Sequence, residues 1–207
     1  MTFWFSSDHH FNHANIINLS NRPFKATKTQ TAIEVHNEAL ITNHNAVVSP
    51  DDTVLLLGDF GMGDIDATLE LIPRLMGHKV LITGNHDRCF KGGKNSKGMT
   101  PAEWEDYYIA AGFEKVFHNV ALSQFGDFPP VMLSHFPYTG DHFDGDRYEE
   151  YRATDSGLPI LHGHTHSDKA ISYSKRGTLQ IHVGVDTWKY APVPYDRFKT
   201  IIEAVTP

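Results

Sequence analysis

Five short apolar segments, each ended abruptly by polar residues, constrain the fold of this chain more than any other feature. They are TFWF at 2–5, TVLLL at 53–57, KVLIT at 79–83, PVMLS at 130–134 and PILHG at 159–163. Apolar runs of this length without alternation are typical of strands that are covered on both faces. The sequence therefore predicts a sheet with layers packed on both of its sides.

Three helices are predicted between these segments, over the ranges 31–46, 64–76 and 101–111. Thr31 and Glu34 have the spacing of a capping box, which satisfies free backbone amides at the start of a helix. Thr100 and Glu103 have the same spacing at the third helix. Proline lacks an amide hydrogen, so Pro73 is expected to kink or interrupt the second helix. Strands alternating with helices indicate an α/β fold.

The chain after residue 112 has mainly strand character. The segments concerned are FEKVFHNVAL, KAISYS, TLQIHVGV and FKTIIEAV, with KRG as a turn between the second and the third. Two long loops rich in glycine, aspartate and lysine, 88–100 and 136–158, are candidate substrate or lid loops. Without a convincing linker or repeat, residues 1–207 are predicted to form a single domain.

Composition narrows the classes of protein and partner. Hydrophobic residues make up 40% of the chain, but no apolar run approaches the roughly 18 residues of a membrane span, so no membrane partner is expected. Cys89 is the single cysteine, and the N-terminus has no basic flank or cleavage site of a secretory signal. Both observations favour the cytoplasm. The net charge of -7 argues against a broad contact with duplex nucleic acid, and the oligomeric state is left open.

Candidate metal ligands follow each apolar segment directly. They are Asp8 and His10 after the first, Asp59 after the second, Asn85 with His86 after the third, His135 after the fourth, and His164 with His166 after the fifth. In open α/β sheets, ligands bind outside the carboxyl ends of the strands, where the loops gather at one crevice. A pair of histidines on its own is as often structural as functional. One shared site is favoured because candidate ligands follow all five apolar segments.

Seven of these side chains, all except His86, form a set of oxygen and nitrogen ligands without thiolate. Such a set suits divalent transition metals, with manganese preferred and iron, zinc, cobalt and nickel as alternatives. One tetrahedral zinc ion would use fewer ligands than are available. Two divalent ions roughly 3.5 to 4 Å apart, bridged by one carboxylate and a hydroxide, account for the number.

The same residues carry a family resemblance. The motifs are DHH at 8–10, GD at 58–59, GNHD at 84–87, a histidine at 135 and GHTH at 163–166. In this order the chain resembles the calcineurin-like metallophosphoesterase superfamily, whose blocks read D-x-H, GD, GNH(D/E), H and GHxH, and among its members it looks closer to small bacterial and phage phosphoesterases. The resemblance implies a four-layer αββα sandwich, in which two sheets are flanked by helices.

The resemblance also implies roles for individual residues. One metal ion would be bound by Asp8, His10, Asp59 and His166, and the other by Asp59, Asn85, His135 and His164, with Asp59 as the bridge. His86 would lie over the substrate phosphate and steady the transition state or protonate the leaving oxygen. The implied reaction is hydrolysis of a phosphoester by in-line attack of the bridging hydroxide.

The group that orients His86 stays open in the sequence. In the protein-phosphatase branch of the superfamily, an aspartate three residues after the GD motif has this role, and Met62 stands there in this chain. Asp64 and Asp87 are both candidates to replace it. Asp87, inside the GNHD motif, is counted with His86 and Asp59 as catalytic.

Candidate substrate-binding residues are Asn85, His86, Arg88 and His13. Arg88 opens a basic stretch with Lys91, Lys94 and Lys97 that could grip a phosphate, although a solvated loop is favoured for the lysines. His13 is a partner of a ligand, a substrate contact or an ordinary residue at a helix start. Further candidates for the pocket wall are Tyr138, His142 and Tyr148, and Asp186 is expected to brace either the site or, with more weight, the fold.

Three functions follow from these residues. Hydrolysis of a small phosphoester, with a nucleotide as the leading candidate, is favoured. A nuclease of the same chemistry needs a groove for the strand, and the acidic net charge argues against it. A non-catalytic protein-binding scaffold on the same fold is the third class, and the presence of every expected ligand together with His86 argues against that function.

Overall fold

The computed structural model describes residues 1–93, 98–126, 129–141 and 143–205. In this part of the chain, the strands are β1 Phe3–Ser6, β2 Thr53–Leu56, β3 His78–Ile82, β4 Lys115–Phe117, β5 Val120–Ser123, β6 Val131–Ser134, β7 Ile160–His162, β8 Ile171–Tyr173, β9 Leu179–His182 and β10 Val193–Pro194. The α-helices are α1 Ile16–Leu19, α2 Ala32–Asn45, α3 Ile65–Leu69, α4 Pro101–Ala111 and α5 Tyr195–Val205. Short 3-10 helices lie at Ile72–Arg74 and Glu149–Tyr151.

The strands form two sheets, each with a parallel centre. The first sheet has the order β10-β1-β2-β3-β4, in which β1 to β4 are parallel and β10 is antiparallel at the edge. The second has the order β5-β6-β7-β9-β8, in which β6, β7 and β9 are parallel and the two edge strands are antiparallel. Parallel strands end at the same edge of a sheet, so the residues that follow β1, β2 and β3 lie side by side.

Two hydrophobic layers enclose the first sheet, because side chains alternate between the faces of a strand. Val54 and Leu56 of β2 face a layer that includes Trp104 of α4. Leu55 of the same strand faces the second sheet, in a layer that includes Leu161 of β7. The five predicted apolar strands are confirmed, and the first sheet is covered on both faces as expected.

The helices begin at the predicted caps. The Thr31 hydroxyl accepts a hydrogen bond from the Glu34 amide at α2, and a second capping box is formed at Thr100 of α4. Helix α3 ends at Leu69 and a 3-10 helix carries Pro73, so the predicted helix over 64–76 is interrupted as expected. Among the described residues, no helix is both long and apolar enough to cross a lipid bilayer.

The prediction of a strand at the C-terminal segment FKTIIEAV is wrong. This segment lies in α5, whose buried residues are Tyr195, Phe198 and Ile202. Their spacing of three and four residues places them on one face of a helix. The Phe198 ring packs edge-on against Phe5 of β1, with centroids 5.5 Å apart. Threonine, isoleucine and phenylalanine favour strands, but packing against the first sheet overrides that preference.

The predicted α/β sandwich is confirmed, and its outer layer on the second sheet is a loop. Gln180 of β9 points away from the first sheet, and it exchanges two hydrogen bonds of 3.0 Å with the backbone of Thr139. These bonds attach the loop 136–158 to that face. In the described residues of this loop, helical structure is confined to the 3-10 helix Glu149–Tyr151.

Candidate metal centre

The predicted ligands lie where the carboxyl ends of the two sheets meet. The amide of Asp8 donates to the Gly58 carbonyl at 3.1 Å, and that of His10 donates to the Asp59 carbonyl at 3.0 Å, which joins the segments after β1 and β2. Between the sheets, the amide of His164 donates to the Asp8 carboxylate at 3.0 Å. The side chains that the sequence placed after separate strands are therefore brought together.

The backbone of this region adopts an unusual conformation. Positive φ angles occur at Asp8 (57°), His10 (52°), Asp59 (54°), His164 (70°) and His166 (47°). Residues other than glycine seldom adopt such angles, and they concentrate in functional sites. A Cβ atom on Gly84 would lie 2.4 Å from Asp59 Oδ1, so the GNHD motif requires a glycine there for the close approach.

The first ligand set consists of Asp8, His10, Asp59 and His166. His10 Nε2 lies 3.2 Å from His166 Nε2 and 3.6 Å from Asp59 Oδ2. His166 Nε2 lies 3.8 Å from Asp8 Oδ1. Donor atoms of Asp8, His10 and His166 all lie within 4.8 Å of one another, a spacing at which they could hold one metal ion.

The second ligand set consists of Asp59, Asn85, His135 and His164. His135 Nε2 lies 3.4 Å from Asp59 Oδ2 and 3.2 Å from Asn85 Oδ1. The His164 ring lies beside that of His135, with centroids 5.1 Å apart. Asp59 Oδ2 is also the oxygen that faces His10, so a single carboxylate oxygen adjoins both sets.

The electrostatics of this centre fit bound cations. Asp8 and Asp59 are 0% and 2% exposed. Burial pushes the pKa of both carboxyls up, but His166 beside Asp8 and His135 beside Asp59 outweigh it, and both pKa values lie below the ordinary range. The facing Nε2 atoms of His10 and His166 need a proton or a cation between their lone pairs. The buried anionic oxygens and imidazole nitrogens therefore fit divalent metal ions.

A family model described as calcineurin-like phosphoesterase matches residues 1–168. The chain belongs to this family. It is therefore a hydrolase that acts on phosphoester bonds, and the family implies divalent metal ions. Among the described residues, two groups have donor atoms close enough together to hold an ion: Asp8, His10 and His166, and Asp8, Asp59 and His135. His164 belongs to neither group.

Relatives of the chain come from phages and an archaeon, and a bacterial protein shares its fold. The "Gene 66 protein" of Mycobacterium phage L5 is 34% identical over 191 residues, which are 89% of this chain and 86% of the phage protein. Protein MJ1445 of Methanocaldococcus jannaschii is 30% identical over 203 residues, which are 95% and 89% of the two chains. The crystal structure of protein AQ665 from Aquifex aeolicus shares the fold, with a TM-score of 0.68 at 22% identity over 97% of this chain and 99% of that chain.

Each imidazole of this calcineurin-like centre has a partner on one ring nitrogen. His10 Nδ1 lies 3.2 Å from His13 Nδ1, His135 Nδ1 donates to the Leu57 carbonyl at 2.9 Å, His164 Nε2 donates to Asp141 Oδ2 at 2.9 Å, and His166 Nδ1 donates to Asp186 Oδ2 at 3.0 Å. Such partners fix the tautomer and the ring orientation of metal-binding histidines. Of the roles left open for His13, the structure places it as a partner of His10.

Sequence reasoning missed two residues, Arg22 and Asp141, that hold the metal-binding histidines directly or through another side chain. Arg22 donates from Nε and Nη2 to the two oxygens of Asp186, both at 2.8 Å, and nothing in the sequence around it indicates that contact. Asp141 was predicted only as part of the loop 136–158. Asp186, to which fold support was given more weight than a bracing role, contacts His166 directly.

His86 is tied to the centre through its backbone. Its amide donates to Asp59 Oδ1 at 2.9 Å, and its ring lies 5.3 Å from that of His10. The side chain is partly exposed, unlike Asp59 and His10, which are buried. His86 is therefore more exposed than the ligands beside it.

Asp87 supports the backbone of the centre instead of the His86 ring. Its carboxylate accepts hydrogen bonds from the amides of Asp59, Phe60 and Gly84 at 3.0, 3.0 and 2.8 Å. Burial and the charge of Asp59 raise the pKa of Asp87 to about 7. Asp64 caps α3. Of the two candidates for orienting His86, neither contacts its ring in the described part of the chain.

The other residues predicted to bind the substrate or line its pocket have different structural roles. Arg88 is partly buried, and its backbone amide donates to the Tyr108 hydroxyl at 3.2 Å. Tyr138 donates from its hydroxyl to the Leu158 carbonyl at 3.0 Å and so holds the loop 136–158. The Tyr148 ring lies 6.0 Å from the His164 ring. Lys94, Lys97 and His142 lie outside the described residues.

Proposed function

We propose that this chain is a dinuclear metal-dependent hydrolase of small phosphoesters. One observation carries the proposal: Asp59 Oδ2 lies 3.6 Å from His10 Nε2 and 3.4 Å from His135 Nε2, between the two ligand sets. A carboxylate in that position suits the bridge of a two-metal site. Manganese is our first choice of metal because the ligands are oxygen and nitrogen, with iron, zinc, cobalt and nickel as alternatives.

The chemistry divides between the ions and the side chains. When bound, two divalent ions would make a water molecule nucleophilic at neutral pH and neutralise charge on the phosphoryl oxygens. The chain itself supplies the buried carboxylates that would hold the ions. Their burial keeps bulk water away from the side of the ions that faces the protein interior. Asp87 and the amide of His86 keep the bridging Asp59 in place through hydrogen bonds to its backbone and to its Oδ1 atom.

His86 is our candidate for the residue that acts on the substrate. Its accessible ring next to His10 can donate to a phosphoryl oxygen or protonate the leaving oxygen. Asn85, Arg88 and His13 are proposed as further phosphate contacts, of which His13 also holds His10. The net charge of -7 favours a small substrate over duplex nucleic acid, and a nucleotide is the leading candidate.

The test measures hydrolysis and metal content together. Metal-free protein is reloaded with manganese, iron, zinc, cobalt or nickel in turn. Each form is assayed with bis-p-nitrophenyl phosphate, p-nitrophenyl phosphate and a labelled oligonucleotide, and bound metal is counted by mass spectrometry. We expect two ions per chain and hydrolysis of a small ester that stops with a chelator. One ion at saturation, or no hydrolysis with any of the five metals, contradicts the proposal. Preferential cleavage of the oligonucleotide would identify a nuclease instead.

A further inference from the structure

The His164 ring has its nitrogens arranged differently from those of the other three imidazoles. His10, His135 and His166 present Nε2 to the ligand sets. The Nε2 atom of His164 instead donates to Asp141 Oδ2 at 2.9 Å. A neutral imidazole that carries its proton on Nε2 has its lone pair on Nδ1, so the contact with Asp141 selects the tautomer in which Nδ1 is the nitrogen able to bind a metal ion.

Asp141 is built to accept that hydrogen bond. Its side chain is fully buried, and Arg147 Nη2 donates to its Oδ1 atom at 2.8 Å. Arg152 Nη2 donates to its Oδ2 atom at 3.3 Å. Two guanidinium groups keep a buried carboxylate ionised, and an ionised carboxylate can only accept from His164.

The same contacts connect His164 to the conformation of a loop. Arg152 is 4% exposed at its side chain and donates to the carbonyls of Pro137, Gly140 and Arg147 at 2.9, 3.1 and 2.8 Å. These carbonyls lie on both sides of Asp141 in the chain. Asp141 thus joins a clamped surface loop to one ligand of the second set.

We propose that Asp141 is a positioning residue that holds His164 for the second metal ion and makes the affinity for that ion depend on the loop 136–158. The inference rests on the proposed dinuclear function. Asp141 need not contact the substrate, and the affinity of the first ligand set for its ion should not depend on this loop.

The test is a manganese titration of metal-free wild type and Asp141→Asn, followed by calorimetry and by metal counting after gel filtration. The variant should bind the first ion as the wild type does and the second about 10- to 100-fold more weakly, the usual effect of losing such a partner. Asp146→Asn is the matched control, because Asp146 lies in the same loop and accepts from Gly140 N and Lys175 Nζ. Within the described residues, it makes no contact with a predicted metal ligand. It should retain both ions.

Arg152→Lys gives a second route to the same answer, since it keeps the charge and breaks the clamp on the carbonyls. We expect Arg152→Lys also to lower the affinity for the second ion, and this can be measured even if Asp141→Asn folds poorly. The inference is overturned if the affinity for the second ion is unchanged in both variants, or if the affinities for both ions fall equally. A wild type that binds one ion would overturn the dinuclear proposal, whereas a wild type and an Asp141→Asn that bind the second ion with equal affinity would overturn the inference alone.

Discussion

The two histidines of the GHTH motif are held by carboxylates from very different regions of the molecule. His166 is held by Asp186, which follows β9, and Asp186 is held by Arg22 from the segment after α1. The Arg22 side chain is fully buried and also donates to the backbone carbonyls of Asp8 and His9. This pair therefore joins segments that are far apart in the sequence.

His164 is held by Asp141, whose arginine partners lie six and eleven residues later in one loop. The side chain of the first of them, Arg147, is 38% exposed. The chemistry of the two pairs is the same, but one is fixed by the core and the other by a local loop. We therefore expect the first ligand set to be preorganised by the fold and the second to be easier to disturb.

The largest effect is expected from Asp59→Asn, because Asp59 adjoins both ligand sets. Loss of its charge should reduce bound metal at both sites and lower turnover of bis-p-nitrophenyl phosphate below detection. Asp64→Asn is the control, since Asp64 caps α3 and should cost about 1 kcal/mol of stability at most. Two tightly bound ions in Asp59→Asn would show that neither set needs the charge of this carboxylate and would contradict its bridging role.

His86→Asn should separate chemistry from metal binding. Because His86 belongs to neither ligand set, we expect both ions to stay bound while kcat falls by about 10² to 10⁴, the usual contribution of a general acid or base. Metal counting and steady-state kinetics on the same preparation check this. A loss of metal that parallels the loss of activity would place His86 among the ligands.

Asp186→Asn should disturb the first set and also the fold. It leaves Arg22 buried without an anionic partner, which typically costs about 3 to 5 kcal/mol in the free energy of unfolding. Affinity for the first ion should fall about 10- to 100-fold. Urea unfolding in a chelator allows comparison with Asp141→Asn. We expect the smaller loss of stability in Asp141→Asn, since Arg147 can reach water and the buried Arg152 keeps three backbone carbonyls as acceptors. Equal losses would contradict the division into a core pair and a loop pair.

The smallest expected effect is a pH dependence of stability in the Arg22 region. Arg22 Nη1 contacts His36 Nε2 at 2.8 Å, and burial, followed by the charge of Arg22, lowers the pKa of His36 from 6.5 to about 4. Since the unfolded chain takes up the proton first, stability is complete above pH 6.5 and falls as the pH drops toward 4, by about 3 kcal/mol at most. In His36→Gln, this acid loss should be reduced in metal-free protein, as followed by thermal unfolding between pH 4 and 7. A profile identical to that of the wild type would exclude His36 as a source.

Local sequence signals predicted much of the first half of the fold. The capping boxes at Thr31 and Thr100 are formed because both partners lie within one turn, and Pro73 interrupts its helix through its own missing amide hydrogen. The segment of α5 was misread because its residues favour strands. Its helical state depends on Phe198 and Ile202 finding a partner surface, which no local pattern displays.

The candidate site divides in the same way. The ligands stand directly after apolar strands, and the parallel order of those strands brings them to one edge, so their convergence could be predicted from spacing. The contacts of Arg22 with Asp186 and of Asp141 with His164 could not be predicted in this way. Each joins side chains that are brought together by a long connection or by the path of a loop, and neither follows a period of a helix or a strand.

By itself, the sequence determined the identity of the metal-binding chemistry and the strand ends that carry it, because residue type and apolar pattern are local properties. Tertiary structure alone decided which nitrogen of each imidazole is bonded to a partner residue behind the ring. That choice depends on the partner behind each ring, such as Asp186 for His166 and Asp141 for His164. These partners reach the histidines through folding of the whole chain, over distances in sequence that no motif records.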